Sequence, residues 1–408
     1  MTIELRPFGV RCNIACHYCY QEPIRAANNG ARSYDMDAMK AGLEREGGPF
    51  SLFGGEPLLV PRADLEELWR WGHERYGYNS VQTNGVLIGD DHIRMFKQYA
   101  VQVGISIDGP GELNDLRFTV SLEKTRRATR RTEAAIRRLC REGIPPGLIV
   151  TLHRGNATEE KLPILAGWLE ELERIGVSHV RLHILESESP AIEQQYGLTI
   201  AENIDAFLFF ARLEEHLPRL RFDLFSDMRS MLLGDDEDTN CVWHPCDPYT
   251  TPAVRGIEGN GQSTNCGRTN KDGIDFRKAE AHGFDRVLAL YHTPEEFQGC
   301  KGCRFFLMCK GQCPGTSDRG DWRNRSAHCE VWKAIYTHFE QRLSEEGFHP
   351  VSANPIRYLL ERKVLENWQQ GRHGTMSAIL EELQEEADRH AGAVALRAAE
   401  PALGAPSP

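Results

Sequence analysis

The chain has 408 residues, 40% of them hydrophobic and 26% charged, with a formal net charge of -11. That length predicts two or three domains, and the composition excludes a disordered chain. The acidic balance argues against a nucleic-acid partner, which needs a broad basic surface, and no run of 18 apolar residues is present to cross a membrane.

The first residues, MTIELRPFGV, lack the charged start and apolar centre of a signal peptide. The expected location is therefore cytoplasmic, where clustered cysteines more often hold metal than form disulfides. TIELRPFG, FSLFGGE, SVQTNG, VQVGISIDG, GLIVTLHR and HVRLHIL read as short strands. Between them, MDAMKAGLERE, ADLEELWRWGHERY, DDHIRMFKQYA, TRRATRRTEAAIRRLCRE and EEKLPILAGWLEELERIG read as helices. Six alternations of strand and helix predict a parallel sheet with helices outside, a partial barrel rather than a closed eight-stranded one. Gly54-Gly55-Glu56, Asn84-Gly85 and Asp108-Gly109 fall where strands end, the edge at which parallel α/β folds bind ligands.

Seven arginines lie between Arg126 and Arg141, mostly opposite the side shared by Ala128, Ala135, Ile136 and Leu139. That pattern reads as a solvated helix face, with a docking face for an acidic partner as the alternative. Cys140, on the same helix, reads as a buried core residue. His179 and His183 alternate with apolar residues, which fits a sheet face better than a metal site.

Composition changes near residue 225. The stretch from Leu232 to Gly273 is rich in Gly, Pro, Asn, Asp and Cys. It offers little apolar material for a core and is expected to need metal to hold it together. Helical character returns in CEVWKAIYTHFEQRLSEEG, RYLLERKVLENWQQ and TMSAILEELQEEADRHAGAVALRAAE, and PALGAPSP reads as a flexible tail. The expected division is 1–225, 226–340 and 341–408.

Cys12, Cys16 and Cys19 form C-x3-C-x2-C. Zinc sites usually close with four ligands, and the nearest fourth candidate, His17, sits inside the loop where it is poorly placed. Three thiolates suit a [4Fe-4S] cluster with one iron left open. A zinc knuckle completed by a distant ligand is the alternative. Further along, Cys246, Gly261 and Cys266 give C-x14-G-x4-C, and Cys300, Cys303, Cys309 and Cys313 give C-x2-C-x5-C-x3-C, followed by Cys329.

The first spacing, followed in order by LFGGEPLL, QTNG and SIDGP, resembles the radical S-adenosylmethionine (SAM) superfamily. The resemblance implies that SAM chelates the open iron and is cleaved to a 5'-deoxyadenosyl radical, which takes a hydrogen atom from the substrate. It also implies cofactor contacts: Tyr18 near the adenine, Gly54 and Gly55 by close backbone approach, and Glu56 accepting from the SAM ammonium. Asn84, Ser106 and Asp108 complete the implied set, the last two at the ribose or carboxylate. N-G and D-G are also ordinary turn pairs, which is the alternative for those segments. The later cysteines resemble the SPASM domain, an extension carrying two auxiliary [4Fe-4S] clusters, with Cys241 as the eighth ligand. By that resemblance Cys241, Cys246, Cys266 and Cys313 hold one cluster, and Cys300, Cys303, Cys309 and Cys329 the other. The implied architecture is α/β, a partial (β/α)6 TIM-like barrel followed by a small iron-sulfur SPASM domain and C-terminal helices. The resemblance spans about residues 5 to 335.

SPASM enzymes mostly act on peptides, so the expected function is an oxidative intramolecular cross-link in a ribosomal precursor peptide. Anaerobic sulfatase maturation, which generates formylglycine, is the alternative, and an iron-sulfur electron carrier or redox sensor comes third. An open iron is of no use to a pure carrier. Two features weigh against maturation. Gly267 stands where the maturases carry an aspartate after the matching cysteine, and TVSLEKTRRATRR replaces their glycine-rich turn. Residues 313–332 either line a substrate channel or pack around the clusters. An external one-electron donor of flavodoxin or ferredoxin type is implied. Only eleven residues precede Cys12, so no fused leader-recognition domain is expected. A separate peptide-binding protein, or the enzyme's own surface, would then present the substrate. No catalytic acid or base is assigned.

Overall fold

A computed structural model describes residues 3–27, 33–187, 189–247, 255–269 and 283–385. The six expected strands are present: β1 (Ile3–Arg6), β2 (Phe50–Leu52), β3 (Asn79–Thr83), β4 (Val101–Ser106), β5 (Gly147–Leu152) and β6 (His179–Ile184). Three short strands extend them: β7 (Arg221–Phe222), β8 (Arg255–Glu258) and β9 (Ser263–Thr264). All nine belong to one sheet, in the order β7-β6-β5-β4-β3-β2-β1-β8-β9. Neighbours from β7 to β8 run parallel, and only β9 is antiparallel to its neighbour. Leu5 is in register with Leu52 on one side and Ile257 on the other. The cysteine-rich half of the chain thus contributes two strands to the barrel sheet.

The longer helices between strands are α1 (Met36–Glu46), α2 (Arg62–Tyr76), α3 (Asp90–Gln98), α4 (Leu122–Arg141), α5 (Leu162–Arg174), α6 (Ile200–Glu214) and α7 (Asp223–Leu232). Local signals set their ends. Asp35 caps α1 by accepting from the Ala38 N–H at 3.0 Å, and Gly47, at φ 68°, stops it. In α4 the predicted inner positions Ala135, Ile136 and Leu139 are buried, while Ala128 and Cys140 are half-buried. The first half of that inner face is instead threonine. Thr132 Oγ1 donates to the Asn84 carbonyl at 2.9 Å, and Thr129 Oγ1 accepts from Asn114 Nδ2 at 2.9 Å. Helices α6 and α7 were outside the predicted alternation. A reciprocal cap announces α6: Glu202 N–H donates to Thr199 Oγ1 at 3.2 Å and Thr199 N–H to Glu202 Oε2 at 2.7 Å.

The later half adds α8 (Asp285–His292), α9 (Cys329–Glu345) and α10 (Ile356–Gln369). From the stretch expected to be core-poor, Trp243 is fully buried against α9. Trp332 on α9 packs edge-on against Phe207 at 5.4 Å and Trp243 at 5.5 Å, and Phe339 meets Phe225 at 5.4 Å. Aromatic pairs each contribute about 0.5–1.5 kcal/mol beyond area burial, so these contacts help anchor α9 to α6 and α7. Residues 376–385 are helical. The rest of the predicted C-terminal helix and the tail, residues 386–408, lie outside the described residues. Among the described residues no helix is long and apolar enough to cross a membrane.

Candidate active site

The C-terminal edge of the parallel sheet surrounds a cavity of about 210 Å³. Its walls include Cys12, Cys16, Tyr18 and Cys19 from the loop after β1, Gly54 and Gly55 after β2, Asn84 after β3 and Ser106 at the end of β4. Two glycines position the cysteine loop. Gly55 N–H donates to the Gly9 carbonyl and Glu56 N–H to the Arg11 carbonyl, both at 2.9 Å. A Cβ on Gly55 would lie 2.2 Å from the Arg11 oxygen, and one on Gly54 would lie 2.4 Å from the Gly9 oxygen. The close approach expected of these glycines is therefore made to the cysteine loop itself. Gly55→Ala should push that loop away and lower the unfolding free energy by about 1–3 kcal/mol, as overpacking does. An unchanged denaturation midpoint would count against the contact.

The loop is held from its other side by backbone bonds from Ala15 N to Phe118 O at 2.6 Å and His17 N to Leu116 O at 2.9 Å. Asn84 Nδ2 donates to Asn13 Oδ1 at 2.7 Å and lies 3.9 Å from Cys12 Sγ. Ser106 Oγ accepts from Gln82 Nε2 at 2.8 Å. Burial pushes the Cys16 thiol up to about 12, and it raises that of Cys12 as well.

Glu56 and Asp108, expected to face the cofactor, are absent from the cavity walls and almost fully buried, at 1% and 0% exposure. Glu56 Oε1 accepts from Leu58 N–H at 3.0 Å and Thr83 Oγ1 at 2.7 Å, and Oε2 from Asn84 N–H at 2.9 Å. Three of the roughly four lone-pair sites of a carboxylate are thereby filled from within the chain. Asp108 forms a buried hub. Its Oδ1 is 3.0 Å from Arg117 Nε and accepts from Thr151 N–H at 3.0 Å. Its Oδ2 accepts from the Tyr18 hydroxyl and lies 3.4 Å from His153 Nε2.

Several wall residues were not singled out by sequence reasoning. Arg117, Thr151, Glu186 and Arg268 all line the cavity, and so does His183, read only as a sheet-face residue. Glu186 and Arg268 form an ion pair, with Arg268 Nε donating to Glu186 Oε2 at 3.1 Å. Arg268 N–H also donates to Cys266 Sγ at 3.3 Å. That residue therefore links the cavity to the later cysteines. Burial, helped by Arg268, Arg181 and Arg117, holds the His183 pKa well below the usual range, so its imidazole is neutral. His179, by contrast, is exposed and bonded to Ser178.

Among the described residues no three His, Cys, Asp or Glu side chains converge as a single-ion site requires. The cysteines ring cavities instead. Cys300, Cys303, Cys309 and Cys329 surround one pocket with Phe306, Trp332 and Tyr336, and no His or carboxylate lines it. That all-cysteine donor set is one that fits a four-iron cluster. Cys241, Cys266 and Cys313 lie near enough to act on one another's charge. Burial raises Cys300 to about 12 and Cys329 to about 11, so protons must leave these thiols as metal arrives.

A parallel partial barrel with three cysteines and two clamped glycines around a cavity at its C-terminal edge is the arrangement of the radical SAM fold. The sequence model of the Radical SAM superfamily matches residues 7–184, and this part of the chain is a radical SAM domain. A serine-type anaerobic sulfatase-maturating enzyme of Klebsiella aerogenes is 29% identical over 224 residues, covering 50% of this chain and 52% of the relative. The chain thus matches about half the length of that relative. A cysteine-type anaerobic sulfatase-maturating enzyme of Clostridium novyi is 21% identical over 377 residues, 85% of this chain and 96% of the relative. Among solved structures, anSMEcpe with bound AdoMet superposes with a TM-score of 0.63 at 19% identity, covering 84% of this chain and 98% of that one. The same protein has been solved with AdoMet and a Cp18Cys peptide, with a TM-score of 0.61, 19% identity and the same coverage.

Proposed function

We propose that the chain is a radical SAM enzyme that oxidises a side chain of a peptide or protein substrate, in the manner of the sulfatase-maturating relatives. The observation that carries this reading is the cavity. Three thiols sit beside clamped glycines at the strand edge, in a chain whose likeness to the maturating enzymes extends over both halves. Cys12, Cys16 and Cys19 would hold the open cluster, and the two later groups of four cysteines the auxiliary ones. The open cluster, when bound, supplies the electron that splits SAM. Tyr18, Gly54, Gly55, Asn84 and Ser106 border the space for the cofactor, while Glu56 and Asp108 support its walls from behind. The neutral His183 and the Glu186–Arg268 pair line the same cavity, where they would orient the substrate. An external one-electron donor of flavodoxin or ferredoxin type would serve the site.

Gly267 favours a second reading, an oxidative cross-link in a precursor peptide, presented by a separate leader-binding protein or by the enzyme itself. A Cβ at this position would lie 3.1 Å from Arg6 Nη1 and 3.5 Å from side-chain atoms of Gln21 and Tyr20. The carboxylate expected of a maturase is missing there.

Reconstituted anaerobically, the protein should hold about 12 iron atoms, four for each of three clusters. With SAM and reductant it should form 5'-deoxyadenosine. Oxidation of serine to formylglycine and closure of a cross-link both remove two hydrogens, so mass alone does not separate the readings. Trapping with a hydrazide does: a product that reacts is an aldehyde and supports maturation, and one that resists supports the cross-link. Absence of 5'-deoxyadenosine would sink both.

A further inference from the structure

Arg286, on α8, is 2% exposed. Its guanidinium is surrounded by backbone carbonyls. Nε donates to Trp322 O at 2.6 Å, Nη1 to Gln312 O at 3.1 Å and Cys246 O at 3.4 Å, and Nη2 to Asn324 O at 2.9 Å and Gly311 O at 3.5 Å. Among the described residues it pairs with no carboxylate. The other arginines enclosed by this fold all do: Arg6 with Glu258 at 2.6 Å, Arg117 with Asp108 at 3.0 Å, and Arg268 with Glu186.

Carbonyl oxygens satisfy the five donors of the fork, but they leave its charge uncompensated. A buried charge without a counter-ion is strongly unfavourable in a low-dielectric interior. The groups nearest in charge are thiols from both cysteine sets. Burial lowers the Arg286 pKa, opposed by Cys246 and Cys313 on one hand and by Cys300 and Cys309 on the other. The backbone agrees with this placement. Cys246 supplies one of the carbonyls, Gln312 precedes Cys313, and Gly311 lines the pocket ringed by Cys300, Cys303, Cys309 and Cys329.

We infer that Arg286 is the shared counter-cation of two anionic auxiliary [4Fe-4S] sites, and so a positioning residue that sets both of their potentials. The inference rests on the proposal that the eight later cysteines hold two clusters. A four-iron cluster with four thiolates is anionic, and its reduction adds another negative charge. One fixed cation between two such sites favours the reduced form of each, because net charge is among the factors that set cluster potential.

The test uses the full reconstituted chain, with the auxiliary signals isolated by replacing Cys12, Cys16 and Cys19 with Ala. Iron content and midpoint potentials are read in Arg286→Gln and Arg286→Lys. In Arg286→Gln both auxiliary clusters should be harder to reduce by about tenfold or more in equilibrium constant, or about 59 mV for one electron. Arg286→Lys should restore most of that shift. Full iron with unmoved potentials in Arg286→Gln overturns the proposal, and a shift in one cluster alone overturns the sharing. Should Arg286→Gln fail to retain iron, retention by Arg286→Lys supports the charge. Loss in both variants overturns it in favour of the shape of the fork. A wild-type chain holding only about four irons rejects the two-cluster reading itself, which is a separate result.

Discussion

Cys16→Ala is expected to reduce 5'-deoxyadenosine formation more than about 100-fold, since even residues outside a metal's ligand set typically cost 10–100-fold when replaced. The loop around Cys16 is fixed by its backbone. Cys19 N–H donates to the Cys16 carbonyl at 3.2 Å, and Ala15 and His17 are tied to the irregular segment at 116–118. Removal of one sulfur would therefore delete a ligand of the proposed cluster without releasing the loop. Iron should fall from about 12 to about 8 atoms per chain while the fold persists. Cys309→Ala should behave differently. Its thiol shares an enclosed pocket with Phe306, Trp332 and Tyr336, so iron and stability should fall together. The measurement is chromatographic quantification of 5'-deoxyadenosine beside an iron assay. Wild-type product formation by Cys16→Ala would remove the three-thiol site from the reaction.

What could be read in advance follows sequence distance. Three cysteines within eight positions must be neighbours in space, so their meeting in one cavity was legible. The alternation of strands and helices was equally local, and α1 spans the very residues its pattern predicts, from Met36 to Glu46. Side-chain direction was not local. Glu56 and Asp108 close the strands that bear the cavity, yet both turn inward, because Thr83, Asn84 and Arg117 supply donors there. The Glu186–Arg268 pair joins residues 82 positions apart, and no pattern in either segment marks it. Arg286 carries no motif at all. Its significance comes from the carbonyls around it and from the lack of a carboxylate partner among the described residues. The aromatic core under α9 was missed for the same reason, since Trp243, Trp332 and Phe207 meet only after the chain has folded back. Helix α6 was different: the Thr199–Glu202 capping box stood in the sequence as a usable signal.

Asp108→Asn should lower the unfolding free energy by about 3–5 kcal/mol, the usual cost of removing one partner from a buried ion pair. Asp108 is fully buried and Arg117 is 11% exposed. Asparagine can still accept from Thr151 N–H, but it leaves the guanidinium without an anion beside the Tyr18 hydroxyl. The pH dependence follows from the carboxyl itself. Burial alone would raise its pKa, but Arg117, His153 and Tyr18 outweigh burial and hold it at about 2, below its ordinary 3.8. Between those values the unfolded chain binds more protons than the folded one. The carboxylate's contribution, about 2 kcal/mol for such a shift, is therefore complete above about pH 4 and is lost as pH falls through about 2. Urea denaturation should show a large gap between wild type and Asp108→Asn at neutral pH, narrowing across that acid window. Adding Arg117→Met should recover much of the loss, because the orphaned cation and not the missing carboxylate is then the dominant penalty. Equal stability of Asp108→Asn and wild type at neutral pH, or a double variant no better than the single one, would show that this hub does not support the cavity wall.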